Sequence, residues 1–505
     1  MKKHSSNPAN INKSLTEHAT SGIVWTLAGT SGQTILKLGV LMVLARLLTP
    51  LEFGIVGAAV VAITFLGIFG KLGVAQALVQ IPDLTRDHLV AGFHLSLVLG
   101  LLAGLVLYLG AGYIEKLFRI EGLAEPVAIM ALLLPLAGLQ QVSEARIQRE
   151  LKFRMLAIEQ VVSYGVGYGV VAIVLALKGY GVWALVGGIL AQGVIRAAIM
   201  MAVRPPPFSI TTNRAAYRDL LMFGGGHALA EIGRSGAYQV DNLIVGRFLG
   251  AEALGLYGRA FQVVTMPTKL LGVGLLKVMF PIMSRVQSEP NRLARAFLRS
   301  MGIVAMLGLP ISMLLALLAP EIVHVLLGSQ WIAVVIPFQI LAACIVFRIG
   351  HKLCEALVRA CGAVYRLAWT QWLYMGMVIL GAYLGHFIGL KGVAAGVAVA
   401  VTLNFMVVFM LVSSLSGLSL RALGMVIMRH LVVALAIVGL AAIGLILLRS
   451  AEFHEVLRLA VVSGSVLLLY GMIWFMRPTI FAEEGEFLKS LLGKRFLSKN
   501  RENLN

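Results

Sequence analysis

Charge is scarce in this chain. Asp, Glu, Lys and Arg make up 13% of its 505 residues, about half the share carried by a soluble globular protein. Acids are scarcer than bases, 23 against 42, for a formal net charge of +19. Cysteine is scarcer still: Cys344, Cys354 and Cys361 fall within one stretch. An odd count at spacings of ten and seven excludes a complete disulfide framework and matches no metal-ligand pattern. They read as small apolar filler. The chain also lacks a Walker A sequence, a GxSxG elbow, an HExxH pair and paired-Cys metal motifs. Gly224-Gly225-Gly226 lacks the strand and lysine of a phosphate loop. No catalytic residue, metal or cofactor is therefore expected, and the chain is read as no enzyme. No polar loop is long enough to hold a soluble domain.

What is present is apolar: 59% of residues are hydrophobic and 54 are glycine, a composition suited to close helix packing in lipid. A membrane-spanning helix needs about 20 apolar residues. Fourteen such stretches are predicted, near 21–45, 55–79, 89–111, 126–143, 158–177, 182–203, 220–246, 253–283, 298–319, 332–351, 367–386, 392–414, 430–448 and 456–476. The first apolar stretch is too long for a signal peptide and reads as a retained first helix. The fourth is short and holds Pro135, Gln140 and Gln141; the seventh, eighth and tenth carry charges.

The basic residues fix an orientation. With the N-terminus inside, cytoplasmic segments hold 26 of the 42 Lys and Arg and the opposite loops hold seven. That asymmetry is the positive-inside pattern, and it places both termini in the cytoplasm. Topology thus accounts for most of the basic excess, and no nucleic-acid partner is needed.

A repeat runs through the loops. The loop around Arg46, Gly54 and Gly57 returns 201 residues later as Arg247, Gly255 and Gly258. Gly181-Val182-Trp183-Ala184 returns as Gly392-Val393-Ala394-Ala395, offset by 211. These matches put spans one to six in register with spans seven to twelve. An even number of spans per copy gives the copies one orientation, and such parallel repeats place a substrate site between them. The expected fold is all-α and integral to the membrane, with about 14 transmembrane helices: two six-helix parallel repeats around a central cavity plus two C-terminal helices. The predicted segments are a cytoplasmic N-terminal segment (1–19), two six-helix halves (20–203 and 219–415) joined by a cytoplasmic linker (204–218), two additional helices (416–477) and a cytoplasmic tail (478–505).

Nine basic residues fall in or at the edges of spans: Lys37, Lys71, Arg196, Arg234, Arg259, Lys269, Lys277, Arg348 and Arg458. A cation at a helix centre costs roughly 2.5–3.5 kcal/mol on insertion scales, so deep ones are expected to face a cavity or a partner. Arg196, Arg348, Lys277 and Arg458 lie near span ends and can snorkel. Lys37, Lys71, Arg234 and Lys269 lie deeper and are the candidate cavity cations, suited to phosphate or pyrophosphate. Two acids, Glu231 and Asp241, fall well inside the seventh span. Glu231 is three residues from Arg234, and Asp241 seven beyond it, so each shares a helix face with it. They pair locally or respond to a coupling ion, H+ or Na+. His94 and His227 read as hydrogen-bonded core residues.

Several segments together resemble the Wzx-like flippase family of bacterial polysaccharide transporters. These are Val43-Leu44-Ala45-Arg46-Leu47-Leu48-Thr49-Pro50-Leu51-Glu52-Phe53-Gly54, Leu72-Gly73-Val74-Ala75-Gln76-Ala77-Leu78-Val79-Gln80, Gln148-Arg149-Glu150-Leu151-Lys152-Phe153, Gly179-Tyr180-Gly181-Val182-Trp183-Ala184-Leu185, Gln239-Val240-Asp241-Asn242-Leu243-Ile244-Val245-Gly246-Arg247, and Phe280-Pro281. The likeness covers roughly residues 20–415. It implies the multidrug/oligosaccharidyl-lipid/polysaccharide exporter superfamily and a location in the bacterial inner membrane. The implied cargo is an undecaprenyl-pyrophosphate-linked oligosaccharide, a repeat unit of lipopolysaccharide, capsule or exopolysaccharide. The implied mechanism is alternating access. The implied partners are that lipid-linked oligosaccharide, membrane lipids, and a polysaccharide polymerase with its assembly proteins. The resemblance also places Lys37, Arg234 and Asp241 on cavity-lining helices. Two alternatives stay open: an ion-coupled multidrug antiporter of the same superfamily, and a non-transporting scaffold of a polysaccharide assembly complex.

Overall fold

A computed structural model of the chain describes residues 8–211 and 213–476. The predicted tail 478–505 and the first seven residues of the predicted N-terminal segment lie outside the described residues, as do the side chains of Lys277 and His227. Among the described residues every element is helical and no strand occurs. We label the long helices α1 (Pro8–Leu47), α2 (Pro50–Lys71), α3 (Arg86–Leu109), α4 (Ala124–Arg149), α5 (Phe153–Leu177), α6 (Val182–Val203), α7 (Arg214–Arg285), α8 (Pro290–Leu317), α9 (Ile345–Ala360), α10 (Val364–His386), α11 (Leu390–Ser416), α12 (Leu420–Ser450) and α13 (Glu455–Met476).

Among the described residues eleven helices are long and apolar enough to cross a membrane, or twelve if Ser329–Ala343 and α9, bent by 40° at their junction, form one span. The other two predicted spans, 220–246 and 253–283, fall on α7. This is a pair of helices that meet at Gly250. Gly250 has φ 86 and ψ 179, a conformation open essentially to glycine alone. α1 starts before the predicted first span, and only its part Ala28–Leu47 is apolar enough to cross.

Local sequence explains the helix starts. Thr49 caps α2: its hydroxyl accepts the Glu52 N–H, the Glu52 carboxylate accepts the Thr49 N–H, and Pro50 sits at the first position. This capping box satisfies two of the orphan donors that every helix start exposes. The outward faces are apolar. On α3, Val98, Leu101, Leu102, Leu105, Val106 and Leu109 are all exposed, a helical stripe facing outward rather than into a core. The opposite face carries Ser96, Gly100 and Gly104, all buried. The Ser96 hydroxyl donates to the Gly138 carbonyl of α4 at 3.0 Å, and a Cβ on Gly138 would fall 2.4 Å from the Ser96 carbonyl oxygen. Small residues inside and large apolar ones outside are the arrangement expected of helices that pack in lipid.

The chain forms two compact units. The first contains the chain up to Arg259 with Leu326–Trp331 and Gln371–Val393; the second contains Ala260–Val325, Ile332–Thr370 and the chain from Ala394. In the second unit, α8 packs on α9 and α12. Leu318, Ile437, Ala441, Leu445, Val462 and Val466 join α12 and α13 in a small core beneath it. Arg449 forks onto the buried Glu321 at 2.7 and 2.9 Å.

Two glycines separated by the offset of 201 make a reciprocal contact in the first unit. A Cβ on Gly54 would lie 1.7 Å from the Ala251 carbonyl oxygen, and one on Gly255 would lie 1.9 Å from the Pro50 carbonyl oxygen. At the offset of 201, Gly54 corresponds to Gly255 and Pro50 to Ala251. Each residue therefore meets the counterpart of the residue that its own counterpart meets, a reciprocity of this one contact.

Candidate functional site

Two groups of polar side chains sit in the first unit. The first joins ends of α2, α4, α5, α6 and α7. Arg196 pairs with Glu144 at 3.2 Å and lies 3.6 Å from Glu159. Glu159 is buried and accepts the Ser163 hydroxyl at 2.9 Å. Arg234 holds Glu231 through Nε at 2.9 Å, with a second contact at 2.5 Å, and Ser235 donates to the same carboxylate at 2.7 Å. Lys71 is exposed and feels the charges of Arg196, Glu144 and Glu231. The group thus joins three cations, Lys71, Arg196 and Arg234, to three carboxylates. It is electrically balanced, whereas the sequence alone suggests a cationic excess.

The second group keeps its cations among aromatic rings. Lys37 Nζ lies 5.4 Å from the centre of the Tyr164 ring. Tyr164 and Tyr168 are 5.1 Å apart, ring to ring. Arg259 interacts electrostatically with both phenols and stacks at 4.5 Å on Phe53. Phe53 meets Trp331 edge to face at 5.4 Å, and Trp331 donates its indole N–H to the Ala45 carbonyl at 2.8 Å. The two tyrosines come from a π-helical stretch of α5, Ser163–Val170, read Ser-Tyr-Gly-Val-Gly-Tyr-Gly-Val. A widened turn is costly in an ordinary helix and recurs at functional sites. Here the alternating glycines admit neighbours. A Cβ on Gly167 would lie 2.6 Å from Gln192 Cα of α6, and one on Gly165 would lie 3.1 Å from Leu36 of α1. Two guanidinium or ammonium groups with two phenols form a donor set for a doubly charged anion.

The predicted site residues divide among these groups. Lys71, Glu231 and Arg234 join the balanced group and Lys37 the aromatic one. Asp241 stands apart: buried, it accepts the Tyr257 hydroxyl at 2.8 Å. Lys269 is exposed in the second unit. Arg196 and Arg348, expected to snorkel, do otherwise. Arg196 is paired, and Arg348 is buried on the Phe261 ring at 4.9 Å. His94 does have a hydrogen-bond partner, the Tyr217 hydroxyl at 3.2 Å. Four contributors escape the sequence reading: Glu144, Glu159, Tyr164 and Tyr168. Helical spacing gave a usable signal for the last two, which are i, i+4 with glycines between. Glu144 and Glu159 fall at predicted span ends, where an acid needs no partner. Glu355, which lies between two predicted spans, is buried in α9 beside His351 and Lys352.

The many long apolar helices define an integral membrane protein. It shares its fold with the lipid II flippase MurJ in an inward closed conformation, at a TM-score of 0.74, 14% identity, 91% of this chain and 100% of that one. An inward-facing multidrug resistance MATE family transporter of the MOP superfamily follows at 0.62, with 18% identity over 79% of this chain and 99% of that one. The chain belongs to the polysaccharide biosynthesis protein family, whose model matches residues 43–336. Among its relatives is the succinoglycan biosynthesis transport protein ExoT of Rhizobium meliloti, 29% identical over 62% of this chain and 63% of that protein, slightly less than two thirds of the relative's length. The lipopolysaccharide biosynthesis protein WzxC of Escherichia coli is 21% identical over 81% of this chain and 84% of its own. The teichuronic acid biosynthesis protein TuaB of Bacillus subtilis is 26% identical over 66% and 70%.

Proposed function

We propose that the protein translocates an undecaprenyl-pyrophosphate-linked oligosaccharide from the cytoplasmic to the periplasmic leaflet of the bacterial inner membrane. The observation that carries this is the Lys37–Tyr164–Tyr168–Arg259 group, a donor set for a pyrophosphate placed at membrane depth. The transport role in the name of its relative ExoT supports the same direction. In this reading the chain has 14 spans, two six-helix halves and two added helices, with both termini cytoplasmic. The positive-inside distribution then puts the Gly54–Gly255 contact on the periplasmic side. The halves rock by alternating access, and that contact opens in each cycle. The balanced group sits toward the cytoplasm, where Glu231, Glu144 and Glu159 are placed to exchange a proton or sodium ion during the swing.

The test is flipping of a labelled polyprenyl-pyrophosphate oligosaccharide in proteoliposomes. A lost charge-assisted hydrogen bond is worth about 1.5–3 kcal/mol, so Lys37→Gln and Arg259→Gln should each slow flipping at least about 10-fold. Normal flipping by both variants would defeat the assignment. The carboxylates of the balanced group favour a second reading, a proton-coupled exporter of organic cations. Uptake of an organic cation by the same vesicles, insensitive to Lys37→Gln and abolished by Glu231→Gln, would select it.

A further inference from the structure

The second unit holds a hollow that neither group above uses. It is a cavity of ≈ 240 Å³ where α7 ends and α8 begins, lined by Val286, Arg292, Arg295, Ala296 and Arg299. Positions 292, 295 and 299 are i, i+3 and i+7 and so share one face of α8.

Their depth follows from helix length. α8 has 28 residues, about 42 Å at 1.5 Å per residue, while the hydrocarbon core is about 30 Å thick. The surplus of about 12 Å, some eight residues, must lie at an interface. The arginines mark the N-terminal end as the one that does. Arg299, just beyond, reaches the same level by snorkelling.

Among the described residues the charge there is not neutralised by protein. From 285 to 299 the chain has four arginines against the single carboxylate of Glu289, and Arg292 takes that carboxylate at 2.8 Å. Arg295 uses Nε on the Asn291 carbonyl at 3.3 Å. Among the described residues its terminal nitrogens, and the whole of Arg299, meet no acceptor. Two forked guanidinium groups therefore face a hollow with room for about eight waters at about 30 Å³ each, enough for a phosphate and its glycerol.

We propose that this hollow binds the phosphate-bearing headgroup of an anionic glycerophospholipid, with Arg295 and Arg299 on the phosphate oxygens and Val286 and Ala296 against the glycerol. Inorganic phosphate and a carrier pyrophosphate share that chemistry. The interfacial depth and the apolar wall favour a membrane lipid. Arginine pockets at this level are suited to it, because the guanidinium fork matches phosphate oxygens in pairs.

The full-length protein in nanodiscs of phosphatidylcholine doped with phosphatidylglycerol or cardiolipin tests this, with retained lipid read by native mass spectrometry. The wild type should retain the anionic lipid over phosphatidylcholine. Arg295→Gln/Arg299→Gln should retain roughly 10- to 30-fold less, and Arg299→Gln alone an intermediate amount should the double variant fail to fold. Arg285→Gln, an exposed arginine outside the hollow, should behave as wild type, and millimolar inorganic pyrophosphate should not displace the lipid. The proposal fails if the wild type shows no preference or if the Arg299 variants retain lipid normally. It also fails if Arg285→Gln loses lipid equally or if pyrophosphate empties the site. Because the readout is binding, none of these outcomes depends on flipping.

Discussion

At the scale of single residues, glycine governs the most constrained points. A Cβ at Gly54 would enter the Ala251 carbonyl at 1.7 Å, and backbone cannot yield as a side-chain tip can. Gly54→Ala and Gly255→Ala should therefore prop the reciprocal contact apart. The expected outcome is protein that inserts normally but reacts faster with a membrane-impermeant thiol reagent at a cysteine placed at Gly57. Unchanged labelling would show that the contact is dispensable. Gly250 is constrained by conformation, not by space: no atom lies within 4 Å of a Cβ there, yet φ is 86. Gly250→Ala should cost about 1–3 kcal/mol, read as a fall in the detergent-solubilised melting temperature, with no change in cavity binding.

At the scale of helices, the balanced group ties three of them, α4, α5 and α6, through Arg196. Glu159 is 2% exposed, and its counter-charge comes from Arg196 of α6. Removing either partner leaves a charge in a poor environment, while removing both does not. Arg196→Gln and Glu159→Gln should each destabilise the protein, and the double variant should recover part of the loss, with a coupling of about 0.5–3 kcal/mol. Additive losses would mean that the pair is incidental. Outside the spans, Glu150 joins α4 to α6 through Arg204 at 2.5 Å and also meets Lys152 at 2.6 Å. These two cations push its carboxyl down to about 2. A folded-state value below the ordinary 4.3 means that its stabilising contribution is complete above the ordinary value and is lost as pH falls through about 2. Glu150→Gln should lower the melting temperature equally at pH 7 and pH 5, and the difference should close in strong acid.

Those elements also show what a single sequence can reveal. Periodic signals are local, so the apolar helices and the 201-residue register between Gly54 and Gly255 were legible. Pairings between distant helices are not local. Nothing near Glu159 in the chain announces Arg196, and nothing near Lys37 announces the Tyr164 ring. α7 misleads in the opposite direction: its charges make it look marginal as a span, yet Glu231 pairs with Arg234 and Asp241 accepts from Tyr257 within α7 itself. The widened turn at Ser163–Val170 was hidden for a related reason, since its cause lies in what its glycines let approach.

At the scale of the whole molecule, the question is whether the protein moves something or merely holds something. A scaffold can keep its outer contact closed indefinitely. A carrier working by alternating access must break that contact in every cycle, since the same site cannot open to both sides at once. The contact includes Gly57, whose Cβ would stand 3.6 Å from Leu254 Cγ, about where the sulfur of a cysteine at 254 would sit, which brings substituted cysteines near disulfide reach. In a background with Cys344, Cys354 and Cys361 replaced, Gly57→Cys/Leu254→Cys should cross-link under mild oxidant and stop flipping, and a reductant should restore it. Each single variant should flip normally in either condition. Full flipping by the cross-linked protein would separate transport from this contact and return the scaffold reading to the front.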